Sequence, residues 1–411
     1  MGIEPTSQAW EARILPMNYT CICKRIIADA FRKSKGVFVA GYNDAKNGCF
    51  PKNLLFWAKS WLNFRRIYDT IYSYRYGRIA PKIANMYKAV TYCHQFQEVE
   101  TQMNVAQIME KRSAFSFEVF PPKTDVGMEK LCGKGGVLEQ LYTLNPDYIS
   151  CTYGAGGTNV GKNLEVLDKI VADGKCKGVT HFTCIGNTKE GIKDQLQTYL
   201  DHGIDHMLAL RGDLPFGWTG TGGDLHYATE LVKFVRQEFG DKFCIAVAGS
   251  PEGHIACRSL EADIAFLKQK QDNGADYIMT QLCWDMDQFR YWLDAIRAAG
   301  IWMPVDVGIM PILDQAATIN MALSRNGCVM PRELCEIISK NWIFPNPFDK
   351  EPFDANAAEK KESFKKAGIE YTIRQIDEYR ACGIDGIHLY ALNKYDDVAY
   401  IAKEAGLLDL I

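Results

Sequence analysis

From Ser113 onward the chain alternates two patterns, and eight times a short β-branched or aromatic run appears. The runs are Phe115–Phe120, Tyr148–Tyr153, Thr180–Ile185, Met207–Asp213, Phe243–Ala248, Tyr277–Trp284, Val305–Met310 and Gly386–Leu392. Most are apolar almost throughout, as strands covered on both faces must be. Between them, Gly161–Asp173, Gly191–His202, Ala228–Glu238, Leu260–Asn273 and Met286–Ala299 carry apolar residues at helical intervals. Such alternation predicts an α/β fold with a parallel sheet, and eight repeats favour closure into a (β/α)8 TIM-type barrel over an open sheet. Gly203, Gly274, Gly300 and Gly383 each stand just ahead of a run, where a left-handed residue ends a helix at least cost. The connection from Pro311 to Asp385 is the long one, with a Pro-rich break, NPFDKEPF, and room for several helices.

Residues 1–102 lack this rhythm. They hold 15 Lys+Arg against 7 Asp+Glu, whereas residues 103–411 hold 32 against 43. They are rich in Tyr and Arg around RRIYDTIYSYRYGR, and Leu54–Ile71 has the spacing of an amphipathic helix. A basic aromatic arm suits nucleic acid or a membrane surface, but Met103 opens MNVAQIMEKRSAFSFEVFPP directly ahead of the first run. The expectation is therefore a basic extension over 1–102, disordered or a mis-assigned start, followed by one barrel domain over 103–411.

No apolar run approaches the ~20 residues of a membrane span, and no leader-like start is present. The 14 cysteines are scattered without a CxxC pair, and Cys151, Cys184, Cys244 and Cys283 lie inside apolar runs. This pattern predicts reduced thiols in a cytoplasmic protein and no structural metal site.

Catalytic groups of a barrel gather at the carboxy-terminal ends of its strands. Glu118 stands in the first apolar run, ahead of Pro121 and Pro122. Desolvation there would raise its pKa toward general-acid values, although a carboxylate paired with Arg or Lys fits equally well. Thr152 and Tyr153 precede the Gly cluster Gly154–Gly157. His181 lies in the third run, where a satisfied core histidine is the commoner outcome. Arg211, Gly212 and Asp213 bring a cation, a close backbone and a carboxylate to one rim, or form a local ion pair. Ser250 leads into Pro-Glu-Gly-His254. Asp263 and Lys270, seven apart, share a helix face that is either functional or solvated. Gln281 is an amide in an apolar run and needs partners for both its ends. The eighth run ends in Tyr390 and leads to Lys394. This inventory is poor in nucleophiles and suits a large organic cofactor with proton and hydride transfer.

The pieces FSFEVFPPKT, CTYGAGGT, THFTCIG, LALRGDLP, VAGSPEGH, DNGADYIMTQ, VGIMPI and IHLYALNK occur in order over Ser113–Leu407. Together they resemble the methylenetetrahydrofolate reductase family. The resemblance implies a (β/α) barrel, non-covalent FAD and NADH or NADPH as co-substrate, with the acidic barrel leaning toward NADH. It implies reduction of 5,10-methylenetetrahydrofolate to 5-methyltetrahydrofolate, the tetrahydrofolate interconversion that supplies methyl groups for methionine synthesis. Because the chain stops soon after the barrel, it resembles the catalytic-only bacterial form. By the same resemblance Glu118 is the general acid and Asp213 a carboxylate beside flavin and folate. Gln281 contacts pterin or nicotinamide, and Tyr390 and Lys394 lie near the substrate. Thr152, Tyr153, His181, Leu210, Arg211, Gly212, Asp213, Tyr227, Ala228, His254, Asp263 and Lys270 match flavin-contacting positions. The family also implies a homo-oligomer acting on small molecules, with neither nucleic acid nor membrane as partner.

Four positions depart from the family pattern. Ser250 stands where a flavin-side Tyr is usual, Phe266 where Asn is usual, Gln269 where Arg is usual, and Met321 near a substrate-packing Phe. A flavin barrel acting on another small amine, of the proline dehydrogenase kind, and a non-enzymatic flavin or folate binder are the competing readings.

Overall fold

The computed structural model describes residues 103–409, apart from 154–159, 215–216, 218, 325–327, 344–347 and 349–353. The expectations for residues 1–102, the Leu54–Ile71 helix among them, lie outside the described residues, as do the Gly154–Gly157 cluster and most of NPFDKEPF.

Eight strands form the barrel: β1 (Ala114–Val119), β2 (Tyr148–Cys151), β3 (Lys177–Thr183), β4 (His206–Leu210), β5 (Cys244–Gly249), β6 (Tyr277–Thr280), β7 (Val305–Ile309) and β8 (Gly386–Tyr390). Every neighbouring pair is parallel, and β8 returns to β1, so the sheet is closed in chain order. The expected (β/α)8 barrel is thus the observed one. Several strands end earlier than the apolar runs do. Cys184–Ile185, Arg211–Asp213 and Gln281–Trp284 leave the ladder and become rim loops. Conversely β3 starts at Lys177, ahead of the run, because Lys177 and Gly178 carry no β-branched signal.

A short helix, α1 (Val105–Met109), precedes β1. Asn104 caps it by accepting the Gln107 amide N–H, and the Gln107 side chain accepts that of Asn104. Its buried Val105, Ile108 and Met109 join Tyr148, Val179, Leu208, Tyr277 and Met279 in one apolar cluster that closes the amino-terminal end of the barrel. The outer layer begins with α2 (Asp125–Cys132), α3 (Val137–Leu141) and α4 (Val160–Asp173). It continues with α5 (Lys189–Asp201), α6 (Ala228–Phe239), α7 (Leu260–Asp272) and α8 (Met286–Ala298). The long connection after β7 holds α9 (Gln315–Ala322), α10 (Arg332–Lys340) and α11 (Ala357–Ala381), and α12 (Asp396–Glu404) follows β8. Thr188, Ser259, Asp285 and Asp314 cap α5, α7, α8 and α9 with side-chain oxygens. Gly203, Gly274, Gly300 and Gly383 all take positive φ, as their places ahead of the strands require.

Alternate strand residues feed the helix layer. Phe115, Phe117, Ile149, Phe182, Val247, Ile278, Val307 and Leu389 are fully buried there with Leu167, Phe289, Trp292 and Tyr379. Each such side chain contributes about 1.5–3 kcal/mol on leaving water, so this shell dominates stability. A repeated staple fixes the amino-terminal ends of the strands. Asp147, Asp276 and Asp385 stand just before β2, β6 and β8, and each accepts the main-chain N–H of a neighbouring-strand residue: Phe115, Ile245 and Val305. Arg112, Arg236 and Arg297 pair with the same three carboxylates. No described helix is long and apolar enough to cross a membrane.

Candidate active site

Period-two alternation sends Phe115, Phe117 and Val119 outward and leaves Ser116 and Glu118 on the barrel axis. Glu118 sits level with Ser150 of β2 and Tyr390 of β8. Its side chain is 22% exposed, and no Arg or Lys pairs with it among the described residues; Oε2 lies 3.5 Å from His181 Nε2 and 4.0 Å from His388 Nε2. Burial pushes Glu118 up to about 7. Burial also pushes His181 down to about 4 and His388 well below its ordinary value, so both imidazoles are neutral near pH 7. With nothing cationic beside it, desolvation decides, and Glu118 keeps its proton to near neutrality. The Arg or Lys partner of the paired-carboxylate alternative is thus absent among the described residues.

A polar column continues below Glu118. His181 Nε2 lies 3.2 Å from Ser150 Oγ, which is 3.1 Å from His388 Nε2; His388 Nδ1 is 2.7 Å from Ser116 Oγ. Lower still, the Tyr148 ring stacks on His388 at 5.2 Å and its hydroxyl donates to Asp306. Burial pushes Asp306 up to about 7. Asp306 Oδ1 and the Tyr277 hydroxyl are buried without a hydrogen-bond partner. Sequence inspection singled out none of Ser116, Ser150, His388 and Asp306. Alternation from Glu118 places Ser116 inward, but the others need the register of neighbouring strands.

At the ends of β3 and β4 the chain folds tightly against itself. Ile185 N–H donates to Arg211 O, and Gly212 takes φ +93°. A Cβ on Gly212 would lie 2.6 Å from Ile185 Cγ2 and 3.1 Å from Thr183 Cβ, so only glycine permits this approach. Thr183 Oγ1 is buried beside it without a partner. Arg211 and Asp213 do not form the local ion pair with each other: Arg211 Nε turns back to Gly212 O at 3.1 Å, and Asp213 is exposed. Leu210, half-buried, ends β4.

The loop after β5 and helix α7 supply a second polar group. His254 N–H donates to Asp263 Oδ2 at 3.1 Å, and Lys270 Nζ donates to Ala248 O at 2.9 Å. Asp263 is thus engaged with the loop after β5 and Lys270 with β5 itself, rather than merely solvated. Burial lowers the His254 pKa, with Asp263, Arg211, Lys270 and Asp213 also acting on it, which brings residues of three rim segments into one electrostatic neighbourhood. Phe266, between Asp263 and Lys270 on the same face of α7, is 44% exposed. Ser250 is half-buried, and Gln269 is exposed. Glu252, unremarked in the sequence, ties this loop to the long connection by accepting Val329 N–H at 2.8 Å.

Gln281 follows β6, its Oε1 accepting Leu282 N–H at 2.9 Å. Tyr390 fits because Gly308 of β7 has no side chain: a Cβ there would lie 2.5 Å from the Tyr390 hydroxyl. Lys394 is exposed beyond it. Leu392 and Asn393 take left-handed backbone, φ 51° and 53°, which is costly for leucine. The Asn393 amide then bonds both ways to the main chain of Phe120, at 3.0 and 2.8 Å, and closes the rim between β8 and β1. Tyr227 is exposed as the N-cap of α6, with Ala228 next to it. Thr152 is held by its carbonyl, which accepts from buried Asn163. Two residues sit apart from the rim group. The Tyr153 side chain is buried in the helix layer against Phe182, its hydroxyl donating to Gln195. Met321 packs beside a separate apolar cluster around Trp284, Ile312 and Phe364.

Residues 103–406 match the family model described as methylenetetrahydrofolate reductase. Methylenetetrahydrofolate reductase 1 of Schizosaccharomyces pombe is 32% identical over 302 residues, covering 73% of this chain and 47% of that protein. Methylenetetrahydrofolate reductase (NADH) 1 of Arabidopsis thaliana is 34% identical, covering 72% and 49%. The 5,10-methylenetetrahydrofolate reductase of Pectobacterium carotovorum subsp. carotovorum is 29% identical, covering 74% of this chain and 94% of that one. The match with the two eukaryotic relatives thus spans about half their length, and that with the bacterial one nearly all of it.

Proposed function

The chain belongs to the methylenetetrahydrofolate reductase family, and from that premise we propose that it reduces 5,10-methylenetetrahydrofolate to 5-methyltetrahydrofolate on bound FAD, with NADH or NADPH as electron donor. The observation that carries this reading is Glu118, a carboxyl held to about 7 by burial at the floor of an open rim, with only neutral imidazoles beside it.

The rim fits a large planar cofactor. Thr183 Oγ1 is a buried hydroxyl in want of a partner, and Gly212 keeps its backbone bare at the same point. Arg211, His254, Asp263 and Lys270 add polar groups suited to the cofactor's ribityl and phosphate portions. When bound, FAD supplies a carrier that takes hydride from the nicotinamide and passes it to the folate.

The chain's own residues do the rest. Glu118, about half protonated near pH 7, gives its proton to the aryl-side nitrogen of the bridging ring, which opens that ring to an iminium cation. The exposed Asp213 carboxylate stabilises this cation electrostatically. Gln281 offers its amide to the pterin and, in the other half-reaction, to the nicotinamide, while Tyr390 and Lys394 bound the substrate side. The described cysteines carry free thiols, which suits the cytoplasm.

The test is anaerobic absorbance of the FAD-loaded full chain near ~450 nm, the oxidised flavin band. NADH should bleach the band, and 5,10-methylenetetrahydrofolate should restore it. Bleaching without recolouring on folate would end the folate assignment and leave a flavoenzyme of another substrate.

A further inference from the structure

Resting on the proposed place of Tyr390 on the substrate side of the rim, we infer that Glu252 is a positioning residue for the folate. It pins Cys328 and Val329 of the long connection to the loop after β5, and so fixes the outer wall against which Tyr390 packs.

Glu252 stands on a tight turn. Gly253 takes φ +83° and donates its N–H to Ser250 O at 2.9 Å, and the Gln288 side chain donates to Pro251 O at 2.7 Å. The carboxylate is thus held from its own side of the rim. Its Oε2 accepts Val329 N–H at 2.8 Å, a bond between residues 77 apart in sequence. A main-chain N–H can only donate, so the direction of this bond is fixed. Cys283 Sγ lies 3.5 Å from Oε1, but its single S–H also has the Asp285 carbonyl at 3.2 Å, so the Val329 bond is the one that anchors the carboxylate. Burial raises the Glu252 pKa, the Val329 and Cys283 contacts oppose this, and Asp285 adds to it; no Arg or Lys is among these neighbours. A half-buried carboxylate without a cation is costly to keep. What it supplies here is a charged acceptor, and such hydrogen bonds are stronger than neutral ones.

The other end of that bond explains its use. The Val329 side chain is exposed, as are Leu323 and Ser324, so apolar burial of Val329 does not seat the segment. Cys328 turns inward and is buried. It joins Leu282, Trp284, Met310 and Ile312 in the apolar cluster on which the Tyr390 ring packs. Burial pushes the Tyr390 hydroxyl well above its ordinary value, with Glu118, Asp306 and Cys328 adding to it, so the Cys328 thiol is a neighbour of that hydroxyl. On its opposite side the hydroxyl closes on Gly308. Gly308 belongs to the closed sheet, which fixes it. Cys328 belongs to a connection, and the Glu252 bond next to it ties that connection to the rim.

The experiment compares the FAD-loaded full chain with Glu252→Ala and Glu252→Gln. Fluorotyrosine labelling gives Tyr390 a ¹⁹F resonance, assigned by its loss in Tyr390→Phe. In Glu252→Ala that resonance should shift or broaden, and hydrogen exchange should quicken in the peptide that carries Val329. In flavin reoxidation the KM for 5,10-methylenetetrahydrofolate should rise about tenfold with kcat within about twofold, because Tyr390 bounds the substrate and gives no proton. Glu252→Gln, which keeps a neutral acceptor, should restore most of each change. An unmoved Tyr390 resonance in Glu252→Ala would overturn the inference, as would an unchanged KM beside a moved resonance, or a Glu252→Gln protein no better than Glu252→Ala. The resonance and the exchange are read without folate. An unaltered protein that folate never reoxidises would end the functional reading whatever Tyr390 does, whereas full turnover with Tyr390 or KM unmoved in the variants would end only this inference.

Discussion

Replacing Glu118 by Gln should make the protein more stable at alkaline pH while abolishing its folate half-reaction. Burial raises the carboxyl from 4.5 to about 7 with no cation to offset it. In the unfolded chain the group ionises near its ordinary value. The folded pKa is the higher, so the contribution to stability is fully present below about 4.5 and is lost as pH rises through about 7. The shift corresponds to about 3 kcal/mol at ~1.4 kcal/mol per unit. That figure is a ceiling, since 22% of the side chain is open to the ligand-free cleft. Glutamine cannot ionise and keeps the shape. Denaturant unfolding of both proteins should give a difference that is small at pH ~5 and grows to as much as ~3 kcal/mol in favour of Glu118→Gln at pH ~8.5. The same variant should still be bleached by NADH but should not be reoxidised by 5,10-methylenetetrahydrofolate, because the ring cannot open without its proton. A stability difference that does not change across this pH range would refute the claim that an uncompensated buried carboxyl sits beneath the rim. Loss of bleaching in a variant that still binds FAD would refute the separation of half-reactions.

Asp306→Asn tests the same physics away from the rim. Its carboxyl is raised by burial from 3.8 to about 7, so its stabilising contribution is lost over that interval, and the amide should flatten the decline by up to about 4 kcal/mol in pH-dependent unfolding. An unchanged slope would count against a buried ionisation there. Gly212→Ala places a Cβ 2.6 Å from Ile185 Cγ2 at φ +93°. It should cost about 1–3 kcal/mol and weaken FAD at least about tenfold by fluorescence titration, and an unaltered Kd would remove Gly212 from the cofactor floor. Asp276→Ala strips Arg236 and the Ile245 N–H of their shared acceptor at the opposite end of the barrel. The melting temperature should fall by an amount equivalent to about 1–3 kcal/mol, with both half-reactions retained well below it. A loss of activity without a loss of stability would mean that the two ends are coupled.

The barrel was legible because one signal repeats. Strands buried on both faces read as apolar runs, and helices end on glycines that only a left-handed position explains. Glu118 was legible because a charge in such a run is anomalous. Its surroundings were not, since serine and histidine in a strand carry no comparable anomaly and their partners are remote in sequence. Ser116 and His388 are 272 residues apart, and Ser150 and His388 are 238 apart. Only the closed register, which sets Glu118 level with both Ser150 and Tyr390, brings them under one carboxyl. The Tyr153 side chain lies in the helix layer for a reason available in the sequence. Counting by twos from buried Ile149 and Cys151 sends Tyr153 into the helix layer and leaves Thr152 on the inner face. Asn393 was hidden because the strand was read on to Leu392, where the backbone in fact turns left-handed.

What the register assembles also explains how the acid is tuned. A lysine or arginine on the axis beside Glu118 would lower its pKa and leave it ionised at neutral pH, while a second carboxylate would raise it strongly and couple the two titrations. Next to Glu118 the axis instead holds hydroxyls and imidazoles that burial keeps neutral, and the Asp306 carboxyl lies further down the column, beyond His388 and Tyr148. Desolvation then sets the pKa almost alone, at a value near that of the solution, where a proton is both available and readily given. The same argument predicts sensitivity to a change of charge in the column. Ser150→Asp should push Glu118 above its present value and move the acid limb of the folate half-reaction to higher pH, whereas Ser150→Asn, neutral and of similar size, should not; equal effects from the two variants would show that packing rather than charge governs the site.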